Sequence, residues 1–98
     1  MDTTYLYIIT DGENAKVGKS DNPEKRLKEL QTGNANHLSL VLTFPVPSDK
    51  VFSIEKQCHD ELRLHFEKRG EWFKDVLLFE VRNTIFSIIE SNLTLQID

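Results

Sequence analysis

The most constraining feature of the sequence is a pair of strand-like segments on either side of an Asp-Gly turn. Residues Tyr5 to Thr10 form an aromatic and β-branched run, which is typical of a well-buried strand. The dipeptide Asp11-Gly12 is one that tight hairpin turns prefer. The next segment, Ala15 to Lys19, alternates apolar and polar residues. The two segments therefore predict an antiparallel β-hairpin.

A helix and a third strand are predicted to follow the hairpin. Residues 20–24 place a cap-type side chain before Pro23, and proline suits the first position of a helix. The helix is expected to end near Gln31. Residues Leu38 to Phe44 alternate and are rich in leucine and valine, which predicts a strand. Pro45 and Pro47 are expected to break it.

Two further helices are predicted in the second half of the chain. The first covers about Asp49 to Phe66 and the second about Lys74 to Glu90, with a short extended piece at residues 71–73 between them. The apolar positions of the first of these helices are Phe52, Ile54, Cys58, Leu62 and Phe66.

The tail Leu93 to Ile97 alternates and predicts a strand or a contact with a partner. The predicted order is β-β-α-β-α-α, which indicates an α+β fold with a small antiparallel sheet.

Length and composition bound the classes of protein to consider. The chain of 98 residues predicts a single domain over 1–98, in which residues 4–73 carry the motifs and residues 74–98 form the last helix and tail. Its longest apolar runs are far too short to cross a bilayer. The lone cysteine, Cys58, excludes an internal disulfide and falls in the apolar register of its helix. A cytoplasmic protein without a membrane partner is expected.

The charge distribution leaves room for a nucleic-acid partner. The net charge of −4 argues against a protein that coats nucleic acid by bulk charge. Between Lys16 and His37, however, five cations stand against three acids. A positive face of this kind can bind phosphate weakly and in a salt-sensitive way.

Three groups of residues carry candidate chemistry for phosphodiester cleavage. They are Tyr7 with Lys16 in the hairpin, Arg26 on the first helix, and Glu55 with His59 one turn later on the second helix. A carboxylate can hold a divalent ion, a guanidinium can clamp a phosphate, and a phenol or amine can move protons. Each group alone is more typical of a core aromatic or of solvated charges on a helix.

The ordered combination of motifs resembles the GIY-YIG nuclease superfamily, in particular its short phage and bacterial branch. That branch has Lys-Val/Ile-Gly in place of Tyr-Ile-Gly. The resemblance covers roughly residues 4–73. The matching segments are Tyr5-Leu6-Tyr7, Lys16-Val17-Gly18-Lys19-Ser20, the stretch 21–27 with Arg26 eight residues after the glycine, residues 30–34, residues 54–59, and Arg69-Gly70-Glu71-Trp72-Phe73.

The resemblance implies a fold, an activity and a set of roles. The fold is a three-stranded antiparallel sheet flanked by helices, and the activity is DNA endonuclease or nickase chemistry with one Mg²⁺ or Mn²⁺ ion. It implies that Tyr7 acts as the general base or acts through it. Lys16 occupies the position where most relatives have a tyrosine. Arg26 would stabilise charge on the phosphate, and Glu55 would be the protein ligand of the metal.

The remaining residue assignments and partners are also expectations. Supporting roles at the site are expected for Lys19, His59 and Glu71, and contacts with DNA for Lys19, Lys25, Lys28 and Arg69. DNA is the expected partner and RNA stays open. The lack of a separate DNA-reading module leaves room for a homodimer or a protein partner that supplies specificity.

Two alternatives to a nuclease stay open. Leu30 stands where relatives often carry a histidine or tyrosine, and it has no proton to give. The chain could therefore be a catalytically inactive nucleic-acid-binding module of the same fold. The acidic last helix and the alternating tail leave open an interaction module.

Overall fold

The computed structural model of the chain describes residues 3–93. Its elements are β1 (Thr3–Thr10), β2 (Ala15–Ser20), α1 (Pro23–Thr32), β3 (Ser39–Pro47), α2 (Ser48–Leu62), β4 (Lys68–Arg69), β5 (Trp72–Phe73) and α3 (Leu78–Leu93). The α+β class is confirmed. The predicted tail at 93–97 falls almost entirely outside the described residues. No helix of residues 3–93 is long and apolar enough to cross a membrane.

The sheet has five antiparallel strands in the order β3-β1-β2-β5-β4. The predicted hairpin is present, with Tyr7 opposite Gly18 in the β1–β2 pair. The expected sheet of three strands and the order β-β-α-β-α-α were wrong, because residues 68–73 add a second small hairpin. It turns at Gly70, which has a φ of +60°. Strands of two residues are too short to show alternation in a sequence.

The two faces of β1 pack against different helices. Leu6 and Ile8 join the larger core beneath α2 and α3. Tyr7 and Ile9 point to the opposite face, where they form a second cluster with Leu38 and with side chains of α1. The alternation of a strand thus divides β1 between two layers of helices.

The second helix is shorter than predicted; its predicted apolar positions are confirmed at Ile54, Cys58 and Leu62 but not at Phe52. Its buried side chains are Val51, Ile54, Cys58 and Leu62. Phe52 was predicted in the core, but it is 74% exposed. Two residues of helix rotate by about 200°, so Phe52 cannot share a face with Ile54. Phe66 lies beyond the end of α2, where it packs half-buried against the core.

The sequence predicted that Pro45 and Pro47 would end the third strand, but they do not. Strand β3 continues to Pro47, with Pro45 opposite Tyr5 and Pro47 opposite Thr3. It lies at the edge of the sheet, where a missing N–H costs no ladder hydrogen bond on the outer side. The last helix begins at Leu78, four residues later than predicted, after Asp75 with a φ of 52°.

Candidate active site

A cleft lies beside the outer half of β2. Within residues 3–93, strand β5 pairs only with Ala15 and Lys16, and residues 17–20 of β2 have no outer strand; we call this stretch the open edge. The cleft has a volume of about 560 Å³. Its lining comes from both faces of the sheet: Tyr7, Lys16 and Arg26 on the α1 side, and Lys19 with α2 residues on the other. The open edge allows these two groups to meet.

Gly18 brings the hydroxyl of Tyr7 close to the backbone of β2. A Cβ atom placed on Gly18 would lie 2.5 Å from the Tyr7 hydroxyl oxygen and 2.7 Å from Cζ. Contacts below 3.0 Å are essentially never made by real Cβ atoms. The glycine between Val17 and Lys19 therefore leaves the space that the phenol ring occupies.

Arg26 stands beside the same phenol. The Tyr7 hydroxyl, and after it Glu29, raises the pKa of the Arg26 guanidinium. Glu29 Oε1 lies 3.3 Å from Arg26 Nη1, and both side chains are well exposed. Arg26 thus keeps its charge and remains open to solvent, where an anion could reach it.

Lys16 is the buried cation of the cleft. It is only 5% exposed and forms an ion pair with Glu71, which lies in the turn between β4 and β5. The hydrogen bond and charge of Lys16 lower the pKa of Glu71. The pair joins residues 55 positions apart in the chain and links β2 to the turn of the small hairpin.

Glu55 projects from α2 toward the open edge. Its side chain is 21% exposed, and its Oε1 lies 3.6 Å from Lys19 Nζ. Residues 3–93 contain no cluster of three or more histidine, cysteine or acidic side chains able to hold a metal ion. A divalent ion held by Glu55 would therefore need water and phosphate oxygens as most of its other ligands. Mg²⁺ is commonly bound in this way.

His59 is held one helical turn beyond Glu55. Its Nε2 lies 2.7 Å from the carbonyl oxygen of Val17 on the open edge, and its ring lies 5.2 Å from that of Phe73. Because a carbonyl only accepts, Nε2 carries the proton. Burial lowers the pKa of His59, so the ring is neutral near pH 7 and Nδ1 keeps a lone pair.

The cleft is positively charged on a chain that is negative overall. It is lined by six cations and three acids, a balance of +3, whereas the whole chain carries −4. The cations are Lys16, Lys19, Arg26, Lys56, Arg63 and Lys68, and the acids are Glu55, Asp60 and Glu71. Such a local field attracts a polyanion.

The structure brings all four expected catalytic residues and all three supporting residues to this cleft. Lys25, Lys28 and Arg69 lie outside its lining; Arg69 is paired with Glu67 at 2.8 Å. Their contacts with DNA stay predictions.

The sequence interpretation overlooked several cleft residues, of which Lys56 and Arg63 extend the face of α2 that carries Glu55 and His59. Helical spacing from His59 is the signal that could have found them, since Lys56 is three residues before it and Arg63 four residues after it.

Comparison with known proteins gives one match. A family model described as the T5orf172 domain matches residues 4–89, which is most of the chain. This family is associated with nuclease-type domains. No curated protein and no solved structure shows a significant match.

Proposed function

We propose that this chain, which belongs to the T5orf172 domain family, is a metal-dependent nuclease of GIY-YIG type that hydrolyses phosphodiester bonds in DNA. The observation that carries the proposal is the meeting of Tyr7, Lys16, Arg26 and Glu55 in one positively charged cleft. These residues come from β1, β2, α1 and α2, and only the fold brings them together.

The proposed cofactor is a single Mg²⁺ or Mn²⁺ ion held by Glu55. The donor set fits, since a carboxylate faces a cleft that still has room for waters and a phosphate. When bound, such an ion supplies Lewis-acid charge at the phosphate. Lys19 now supplies the positive charge nearest to Glu55, at 3.6 Å. We expect its ammonium to move toward a phosphate oxygen when the ion binds, since two cations repel each other.

The protein side chains divide the work of hydrolysis. In the overall reaction a water oxygen forms a bond to phosphorus, the bond to one ester oxygen breaks, and that oxygen ends with a proton. We assign the proton transfer to Tyr7, because its hydroxyl lies in the cleft beside the Arg26 guanidinium. Arg26 and Lys16 stabilise the negative charge that grows on the phosphate in the transition state. His59 Nδ1 offers a second acceptor for a proton.

A second candidate function is phosphate binding without catalysis. Glu55 already has a cationic neighbour in Lys19, and Leu30 packs in the apolar cluster beneath Tyr7 rather than offering a proton. A cleft arranged in this way can hold a nucleic-acid backbone through its cations alone. In that case Glu55 only opposes binding, because it repels phosphate.

Plasmid nicking by matched glutamate variants distinguishes these functions. Supercoiled plasmid is incubated with the wild-type chain, Glu55→Gln or Glu61→Gln, in Mg²⁺, Mn²⁺ or EDTA. Glu61 lies on the same helix but does not line the cleft, and it has its own partner in His65. The nuclease proposal predicts metal-dependent relaxation by wild type and Glu61→Gln, with a loss of at least about 10²-fold in Glu55→Gln.

The same assay can also show that the chain binds DNA without cutting it. If wild type binds plasmid in a gel shift at low salt but does not relax it in either metal, the chain is a binding module. Glu55→Gln should then bind as tightly as wild type or more tightly, since it removes one acid from the cleft. Relaxation that Glu55→Gln retains in full would contradict the proposed metal site.

A further inference from the structure

Phe52 is an aromatic ring exposed at the rim of the cleft. It lies in the first turns of α2, is 74% exposed, and lines the cleft together with Glu55. Single exposed apolar residues are common on proteins and need no explanation by themselves. The position of this ring is unusual because all the other α2 residues that line the cleft are polar or charged. A cation also stands over it, with Lys19 Nζ 5.3 Å from the ring centroid.

The charged neighbours place the ring close to the expected phosphate position. Lys19 contacts both groups, since its ammonium lies over Phe52 and 3.6 Å from Glu55 Oε1. Phe52 and Glu55 are three residues apart on one helix, which brings their Cβ atoms to about 5–6 Å. The base attached to a phosphate near Glu55, or its neighbour, can therefore reach the ring.

We propose that Phe52 is a binding site for an unpaired nucleobase, which stacks on its exposed face while the adjoining phosphate lies in the cleft. The substrate class is thus single-stranded or locally unpaired nucleic acid. Bases within a duplex are covered by their neighbours, so only an unstacked base presents a free face to a protein ring. Aromatic rings set among cations are the general arrangement by which proteins bind single strands. The proposal rests on the proposed function for the position of the phosphate.

Fluorescence anisotropy in EDTA tests the inference without relying on cleavage. A labelled single-stranded oligonucleotide and the duplex of the same sequence are titrated at low salt with wild type, Phe52→Leu, Phe52→Tyr and Phe86→Leu. Phe86 is a matched control: it is 49% exposed on α3, and the Arg82 guanidinium carbon lies 5.9 Å from its ring centroid. Circular dichroism checks that each variant is folded.

We expect the loss of affinity to be specific to Phe52 and to the single strand. Phe52→Leu should weaken binding of the single strand at least about five-fold, the lower end for stacking of one base. It should weaken duplex binding less than about two-fold. Phe52→Tyr keeps an aromatic face and should bind within about three-fold of wild type, and Phe86→Leu should bind as wild type does. A 2-aminopurine base in the strand should be quenched by wild type and less by Phe52→Leu.

Three results would overturn the inference: equal binding by wild type and Phe52→Leu, equal losses for single strand and duplex, or no binding of either nucleic acid at low salt. The first two, together with Glu55-dependent plasmid nicking, would leave the proposed nuclease intact and remove only the stacking site. Conversely, a Phe52-dependent preference for single strands in a chain that never nicks would support the stacking site and refute the proposed hydrolysis.

Discussion

Replacing Gly18 with alanine should disturb both the stability and the chemistry of the cleft. The new Cβ would lie 2.5 Å from the Tyr7 hydroxyl oxygen, whereas ordinary contact begins near 3.4 Å, so the hydroxyl would have to withdraw by about 0.9 Å. Tyr7 is 2% exposed and packed in a cluster with Ile9 and Leu38. Overpacking of this kind typically costs about 1–3 kcal/mol of unfolding free energy.

The displacement of the Tyr7 hydroxyl should also slow the proposed reaction. A shift of about 1 Å in a reacting group can cost about 10²-fold in rate. Urea denaturation and plasmid nicking of Gly18→Ala measure the two effects. Thermal melting gives a second measure of stability, since each kcal/mol should lower the Tm by about 4–8 °C in a chain of this size.

Two further variants show whether the clash between the new Cβ atom and the Tyr7 hydroxyl causes the loss of stability. Gly33→Ala is the matched control, because a Cβ on Gly33 meets nothing within 4 Å, and it should change the unfolding free energy by less than about 0.5 kcal/mol. In a Tyr7→Leu background the obstructing hydroxyl and ring are gone, so adding Gly18→Ala should cost less than about 0.5 kcal/mol. A Gly18→Ala chain as stable as Gly33→Ala would refute the reasoning.

Three other predictions concern His59, Cys58 and Arg26. Because burial lowers the pKa of His59 from its ordinary value of 6.5, the unfolded chain takes up a proton below about pH 6.5 that the folded chain resists. Wild type should therefore lose stability relative to His59→Gln between pH 7.5 and 5.5 in urea denaturation, and a constant difference would contradict this. Burial raises the pKa of Cys58 to about 12, so a thiol reagent at pH 8 should label it only in denaturant; rapid native labelling would count against its buried position. Arg26→Lys should slow nicking by about 10²-fold or more while plasmid affinity stays within about three-fold, since a lysine keeps the charge without the forked donors; an unchanged rate would remove Arg26 from the site.

Local signals in the sequence predicted the elements that depend on local interactions. The β1–β2 hairpin follows from its turn and its strand residues, and both are present. Helix α1 begins at Pro23, where Asn22 caps it by accepting a hydrogen bond from the Lys25 amide. The positions of these elements are set by residues close together in the chain, which is why the sequence was sufficient.

The parts that the sequence did not predict depend on distant contacts. The second small hairpin exists because Trp72 and Phe73 pair with Lys16 and Ala15, more than 50 residues away. Because β5 is only two residues long, it leaves the open edge exposed. No local sequence pattern predicts that length. In α2 the predicted apolar positions Ile54, Cys58 and Leu62 are buried, but Phe52 was listed with them on its apolar character, although Val51 has the correct spacing from Ile54.

In the candidate site, too, the sequence predicted the residues but not the distant contacts between them. Tyr7, Lys16, Arg26 and Glu55 were chosen from motif order, and the fold brings them to one cleft. The ion pair of Lys16 with Glu71 and the bond of His59 to the Val17 carbonyl join segments far apart in sequence. Residue types alone could not reveal these partners, because they depend on how β5 and α2 meet β2.

The most direct test of the central claim is the position of a bound metal ion. Crystals of the chain with a short DNA strand, soaked in Mn²⁺, would give an anomalous difference map that locates manganese. We expect one peak in the cleft, within bonding distance of a carboxylate oxygen of Glu55, with Lys19 no longer facing that carboxylate. Manganese on other acids, with the Glu55 carboxylate still beside Lys19 and the DNA backbone bound in the cleft, would contradict the proposed metal site.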